Sequence, residues 1–218
     1  MNSTTDMFWM QRAFVEGGPI MYFILFIGII AVILIVERMM SFASLSVNKK
    51  DFLDSIYNMV LRGDLRQAIA FCDSRPGPLT STVKAGLVQA LNKRPDEEIQ
   101  VAMDAVALRE MPRIEGWAPF LAVTGNVSVL TGLLGTIVGM ITSFRGVANA
   151  DADKKAIELS NGISHALNCT AFGLVVAIVS IIAYAYFQLR IQRAENEVME
   201  GSMSVLNLVA SNRDKLKD

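Results

Sequence analysis

Residues 116–144 read GWAPFLAVTGNVSVLTGLLGTIVGMITSF, and residues 159–189 read LSNGISHALNCTAFGLVVAIVSIIAYAYFQL; neither stretch contains Asp, Glu, Lys or Arg. A third such run lies nearer the start of the chain, from Gly17 to Val36. A helix rises roughly 1.5 Å per residue, so about 20 apolar residues cross a hydrocarbon core of about 30 Å. All three runs meet that length, and the sequence therefore predicts three transmembrane helices.

The composition of the 218-residue chain also indicates an integral membrane protein. Hydrophobic residues make up 52% of the chain and the mean hydropathy is +0.40, which is too apolar for an ordinary soluble domain. The 20 basic and 21 acidic residues nearly balance, and no basic patch interleaved with aromatic residues indicates a nucleic-acid interface. Cys72 and Cys169 fall in different predicted segments, so we expect two buried free thiols rather than a disulfide.

Lysine and arginine are concentrated on one side of the predicted spans. Most of them lie between the first two spans or after the third, whereas the other side holds only Arg12, Arg145, Lys154 and Lys155. Positively charged residues are retained on the cytoplasmic side of a membrane. We therefore expect a multi-pass protein with its N-terminus outside the cytoplasm and its C-terminus inside.

The segment between the first two spans carries most of the charge and is patterned as helices. Phe52, Ile56 and Val60 recur every four residues, as on one face of a helix. Gly63-Asp64 then starts a second helix, and Arg75-Pro76-Gly77-Pro78 is a loop. Upstream of the first span, apolar residues around Trp9 alternate with polar ones, as in a helix that lies in the membrane interface.

The predicted fold is an all-α integral membrane protein with three transmembrane helices, whose long second and third helices extend into a helical cytoplasmic domain. The predicted segments are an interfacial amphipathic N-terminal helix (1–16), the first transmembrane helix (17–40), the helical cytoplasmic domain (41–115), the second transmembrane helix (116–145), a periplasmic loop (146–158), the third transmembrane helix (159–189) and a cytoplasmic C-terminal helix (190–218).

Small residues recur at helical spacing in the second and third spans. Such residues let two helix backbones approach closely, and a G-x-x-x-G pair is typical of this contact. Ordinary helix packing within one protein is a sufficient explanation for these faces of small residues. The positions predicted to pack helices are Gly132, Gly135, Gly139, Gly162 and Gly173.

Two stretches carry a resemblance to a known family. Residues 131–144 (TGLLGTIVGMITSF), followed by 162–178 (GISHALNCTAFGLVVAI) and Ala183-Tyr184, resemble the TolQ, ExbB and MotA proton-channel family, closest to its TolQ and ExbB branch. The resemblance implies a protein of the bacterial inner membrane with a periplasmic N-terminus and a cytoplasmic C-terminus. It also implies a homo-oligomer, a pentamer in that family, around the single-span helices of two copies of an ExbD, TolR or MotB-like partner. Ion flow would then rotate one component against the other, and the partner would carry force to the cell envelope.

The same resemblance implies where ions pass. The partner supplies the titrating aspartate, which would explain why these spans hold no carboxylate, and the family's pore threonines fall on Thr136 and Thr170. A hydroxyl both donates and accepts hydrogen bonds, which suits relaying a proton or coordinating an ion beside an aspartate. The alternative is a threonine whose hydroxyl bonds to its own helix backbone.

Two positions depart from the family pattern. His165 stands where TolQ and ExbB usually have an acidic residue, and Val179 replaces the family's proline. His165 is the single histidine of the chain, and imidazole changes charge near neutral pH. It either belongs to the ion pathway or is a neutral histidine hydrogen-bonded to a neighbouring subunit. The missing carboxylate disfavours a sodium site built on charge, so we expect protons rather than sodium to be transported.

Two other classes of protein compete with an ion-conducting motor subunit. A non-conducting oligomeric scaffold would show the same glycine faces and would differ in passing no ions. An intramembrane hydrolase needs a serine facing a histidine from another helix, or two membrane aspartates; Ser164 and His165 are adjacent and point apart, and the spans hold no aspartate. We therefore expect a non-enzymatic motor subunit that requires no cofactor or metal.

Overall fold

The computed structural model describes residues 18–44, 49–149 and 151–212. These residues form helices joined by short turns, and no strand occurs among them, which confirms the predicted all-α fold. The interfacial helix predicted for residues 1–16 lies outside the described residues. The helices are α1 (Gly18–Ser44), α2 (Lys49–Leu61), α3 (Leu65–Asp73), α4 (Pro78–Leu91), α5 (Asp96–Glu115), α6 (Ala118–Asn149) and α7 (Lys155–Ser211).

Three segments are long and apolar enough to cross a membrane, as the sequence predicts. They are Gly18–Phe42, Asp96–Asn149 and Lys155–Ser211. Helices α6 and α7 both extend beyond the uncharged runs, to Asn149 and from Lys155. The hydrogen bonds of a helix join backbone atoms whatever the side chain, so polar residues at the ends of the uncharged runs continue the helices. Glu158 in the first turn of α7 also complements the helix dipole.

The chain divides into two compact units. The membrane unit contains the described residues up to Arg38 and residues 117–186. In its helix α1, one face is buried at the spacing of a helical stripe, through Met21, Ile24, Ile27 and Ala31. The opposite face exposes large apolar side chains, which suits contact with lipid or with another apolar helix.

The hydrophilic unit contains the described residues from Met39 to Gly116 and from Phe187 onward. Its core includes Phe52, Ile56 and Val60, the stripe predicted from the sequence. Helix α3 begins at its predicted signal, because the Asp64 carboxylate accepts a hydrogen bond from the Gln67 N–H at 3.1 Å and caps the helix. Cys72 is a buried free thiol, and burial raises its pKa to about 12, so the thiol is neutral at physiological pH.

The last part of α7 packs into this hydrophilic unit. Lys49 Nζ lies 2.6 Å from Glu200 Oε2, and Gly201 lies against Leu79 of α4. The absence of a side chain at Gly201 leaves room for that leucine, so α7 approaches α4 closely at this point.

Candidate functional site

Helices α6 and α7 approach each other closely at two glycines, Gly132 and Gly173. A Cβ atom built on Gly132 would lie 3.2 Å from Thr170 Cα, and one built on Gly173 would lie 2.7 Å from the Ser128 carbonyl oxygen and 3.1 Å from Gly132 Cα. Both backbones therefore occupy the space that side chains would need. The glycines at 132 and 173 are what allow this approach.

Two hydroxyl groups join the helices at this contact. Ser128 Oγ donates to the Gly173 carbonyl at 3.0 Å, and Thr170 Oγ1 donates to the Gly132 carbonyl at 3.0 Å. Each helix thus gives one hydroxyl to the glycine of the other. Side chains as short as serine and threonine can reach across only because neither glycine carries a Cβ atom.

Thr136 joins the same arrangement one helical turn after Gly132. In an α-helix its N–H bonds to the carbonyl four residues earlier, which is that of Gly132. The Gly132 carbonyl therefore accepts from the Thr170 hydroxyl and from the Thr136 backbone. The Thr136 hydroxyl donates to the Leu133 carbonyl of its own helix at 2.6 Å. The structure thus brings the two predicted pore threonines together, and both side chains are half-buried.

Helix α1 lies on the other side of the α6–α7 pair. It contacts α6 where Ile20 approaches Gly135, and it contacts α7 where Gly28 approaches Val176. Successive helical residues are about 100° apart, so Gly135 and Val176 point to the flank opposite Thr136 and Thr170. The described residues leave the flank that carries the threonines uncovered: its large apolar neighbours are exposed, Leu133 by 47%, Leu167 by 62% and Leu174 by 44%. We call this flank the threonine edge.

His165 is not part of the threonine edge. Its Nε2 atom approaches Gly18 at the start of α1, where the backbone has a positive φ of 57° and a Cβ atom would lie 2.7 Å from that nitrogen. Its Nδ1 atom is buried without a hydrogen-bond partner among the described residues. The structure therefore separates His165 from the two threonines and places it against α1 of its own chain.

The five glycines predicted to pack helices all lie along the α6–α7 contact. Beyond Gly132 and Gly173, the contacts are Gly135 with Cys169, Gly139 with Ala166, and Gly162 with Ser143. Ser128 takes part in this contact although its sequence position does not distinguish it from the other polar residues of the span. Only the pairing of the two helix faces shows that its hydroxyl meets Gly173.

The hydrogen bonds of the threonines determine what they can bind. A hydroxyl has one proton and two acceptor lone pairs. Thr136 and Thr170 both direct that proton to a carbonyl, so the lone pairs are what they offer to a third group. Such a site can accept a hydrogen bond from a protonated acid or help to coordinate a cation. A negatively charged carboxylate would find no donor in these hydroxyls as they are bonded.

Comparisons with known proteins cover this region. The MotA/TolQ/ExbB proton channel family matches residues 75–200, which include all of α6 and the three predicted ion-pathway residues. The Tol-Pal system protein TolQ of Pseudomonas aeruginosa is 40% identical over 94 residues, 43% of this chain and 40% of TolQ. The biopolymer transport protein ExbB of Pseudomonas putida is 36% identical over 94 residues, 43% of this chain and 28% of ExbB.

A longer match is found with the putative biopolymer transport protein ExbB homolog of Methanothermobacter thermautotrophicus, which is 28% identical over 179 residues, 82% of this chain and 62% of that protein. The chain thus matches less than two thirds of the length of each of these relatives. The family match covers more than half of the chain, and the relatives carry TolQ and ExbB names. This three-span membrane protein is a member of the MotA/TolQ/ExbB proton channel family, on its TolQ and ExbB side.

Proposed function

We propose that this protein is the proton-conducting motor subunit of an energy-transducing complex in the bacterial inner membrane, with its N-terminus in the periplasm. It would couple the proton motive force to mechanical work in the cell envelope, together with a single-span partner of the ExbD, TolR or MotB kind. The observation that carries this proposal is the threonine edge. On this flank the Thr170 hydroxyl bonds to the Gly132 carbonyl and the Thr136 hydroxyl bonds to the adjacent Leu133 carbonyl. The uncharged spans that carry both threonines hold no carboxylate of their own.

The geometry of the edge favours a partner acid that cycles between two protonation states. When protonated, a carboxyl group on the partner helix can donate to the lone pairs of Thr136 or Thr170. When ionised, it would find no donor there while both hydroxyls bond to carbonyls. The edge would therefore stabilise the neutral acid, and losing the proton would release the acid from it. That difference is what a proton-driven movement of one helix past another requires.

The remaining exposed surface of the membrane unit fits a homo-oligomer around the partner. Large apolar residues on α6 recur every three or four positions, through Phe120, Val123, Val127, Leu130, Leu134, Ile137, Ile141 and Phe144, and all are exposed in the single chain. We propose that these residues face neighbouring copies or lipid. A pentamer that encloses two partner helices is the assembly implied by the family.

His165 has a separate place in this proposal, on the outer side and against α1. We expect His165→Gln to retain proton flux within about two-fold of the native protein, because glutamine keeps hydrogen-bonding capacity and the residue lies away from the threonine edge. Flux in liposomes should be compared between the variant and the native protein as a function of pH. A profile that collapses in the variant would instead place His165 in the ion pathway.

The decisive experiment is purification of this protein with the proteins bound to it, followed by a proton-flux assay in liposomes. We expect a single-span protein with a membrane aspartate or glutamate to co-purify. Flux should require both chains and should stop when the partner's acid is changed to its amide. Assembly of this protein alone, with no flux under any condition, would instead support a non-conducting scaffold.

A further inference from the structure

Asn126 is an unusual residue on the surface of the membrane unit. It lies on α6 ten residues before Thr136, about 15 Å along the helix axis at roughly 1.5 Å per residue. Its side chain is exposed, and the structure gives its carboxamide no hydrogen-bond partner within residues 18–44, 49–149 and 151–212. The predicted site does not include it.

The neighbouring helices place Asn126 inside the hydrocarbon. The adjacent Gly125 contacts α7 at Ala177 and Ile181, close to where Val176 meets Gly28 of α1. From Gly28, the uncharged run of α1 continues to Val36, about 12 Å further along its axis. The carboxamide is therefore well short of the inner boundary of the membrane.

An amide in that position needs a partner. Lipid tails offer no hydrogen bonds, so an unpaired carboxamide among them is costly. Asparagine in membrane helices commonly bonds across to another helix. Among the described residues nothing bonds to the exposed carboxamide of Asn126, so we look for its partner in a second chain.

The flank on which Asn126 lies indicates which chain. At about 100° per residue, Asn126 is turned about 80° from Thr136 and about 20° from Leu133, on the side away from α1. It therefore extends the threonine edge toward the start of α6. Ile137 of the exposed apolar stripe is turned about 20° to the other side, so Asn126 stands where the threonine edge borders that stripe.

We propose that Asn126 is a contact residue for the partner's single-span helix, hydrogen-bonding to a side chain or carbonyl of that helix in the inner half of the membrane. This inference rests on the proposed function, because it assumes that the partner occupies the threonine edge. Asn126 would hold the helix at a second point about 15 Å from the threonines. A single polar contact at the threonines would permit the partner helix to tilt or slide. A second contact at Asn126 would fix its position.

Substitution tests this contact in the full complex. Asn126→Leu removes the amide at similar size, and we expect the variant to retain the co-purifying single-span protein about five-fold more weakly. Asn126→Gln should retain more of it. The isolated protein should be no less stable with leucine, because leucine leaves no unpaired amide in the membrane. Val127→Leu, on the apolar side of α6, is the matched control. Equal partner retention in Asn126→Leu and the native protein would overturn the proposal.

Photo-crosslinking identifies the neighbour directly. Benzoylphenylalanine at position 126, irradiated in native membranes, should give an adduct of the 23.9 kDa chain with the single-span protein. An adduct of twice the chain mass, or an adduct with lipid alone, would overturn the proposal. If the bulky probe prevents assembly, partner retention in Asn126→Leu and Asn126→Gln tests the proposal instead. If Asn126→Leu retains the partner normally while Thr170→Val loses flux, the Asn126 contact is wrong and the proposed function stands. Normal flux in both variants would contradict both proposals.

Discussion

Replacing Thr170 with valine is expected to reduce proton flux by up to about ten-fold while the oligomer still assembles. Valine keeps the size and branching of threonine and removes the hydroxyl that we propose accepts a hydrogen bond from the partner's acid. A hydrogen bond between neutral groups contributes about 0.5 to 1.5 kcal/mol, and roughly every 1.4 kcal/mol is a ten-fold effect. Flux in liposomes measures the loss, and size-exclusion chromatography of the purified complex measures assembly.

The structure explains why assembly should survive this change. The hydroxyl of Thr170 also donates to the Gly132 carbonyl at 3.0 Å, so valine removes one bond between α6 and α7. Such bonds between membrane helices contribute about 0.6 kcal/mol on average. The Gly132 carbonyl keeps its helical bond from the Thr136 N–H. Ser128 still joins the two helices at Gly173.

Three variants separate an ion-pathway role from a packing role. Thr170→Ser keeps the hydroxyl and should restore most of the flux. Thr142→Val makes the same chemical change on α6 at a residue that bonds to the carbonyls of Val138 and Gly139 in its own helix, and it should leave flux unchanged. Ser128→Ala removes the bond to the Gly173 carbonyl, which also joins the two helices. If Ser128→Ala loses as much flux as Thr170→Val, helix packing and not the ion pathway explains the loss of flux.

The sequence predicts individual helices well and their contacts poorly. Uncharged runs identify the three spans, and the stripe of Phe52, Ile56 and Val60 identifies a buried helix face, because local composition and periodicity decide both. The capping position of Asp64 is equally local. Such features do not depend on what lies beside the helix, so the order of the amino acids is enough to predict them.

Contacts between helices depend on rotation and depth, which no single helix specifies. Periodicity places Thr136 and Thr170 on faces of their own helices, but only the α6–α7 pairing shows that both converge at the Gly132 carbonyl. His165 is the clearest case. Its chemistry attracts attention in the sequence, yet its position depends on where α1 begins, and the structure places it against Gly18 on the far flank.

A single methyl group at position 173 is expected to damage the fold itself, which Thr170→Val should not do. In Gly173→Ala the new Cβ atom would lie 2.7 Å from the Ser128 carbonyl oxygen and 3.1 Å from Gly132 Cα. Both are backbone atoms and cannot rotate away as a flexible side chain would. The helices must separate, which weakens the bonds from Ser128 and Thr170 as well. We expect a loss of about 3 kcal/mol in stability, at the upper end for overpacked sites.

Gly146→Ala is the matched control for this change. It makes the same substitution in the same helix pair, but the nearest atom to the new Cβ is Glu158 Oε2 at 3.5 Å, an ordinary contact at the end of a flexible side chain. Alanine is also the better helix former by about 1 kcal/mol, so this variant should be as stable as the native protein. Thermal unfolding in detergent compares the two. If Gly173→Ala unfolds at the native temperature and keeps its oligomer, α6 and α7 can repack without the glycine contact. The convergence of Thr136 and Thr170 at Gly132 would then not depend on the close approach of the two backbones.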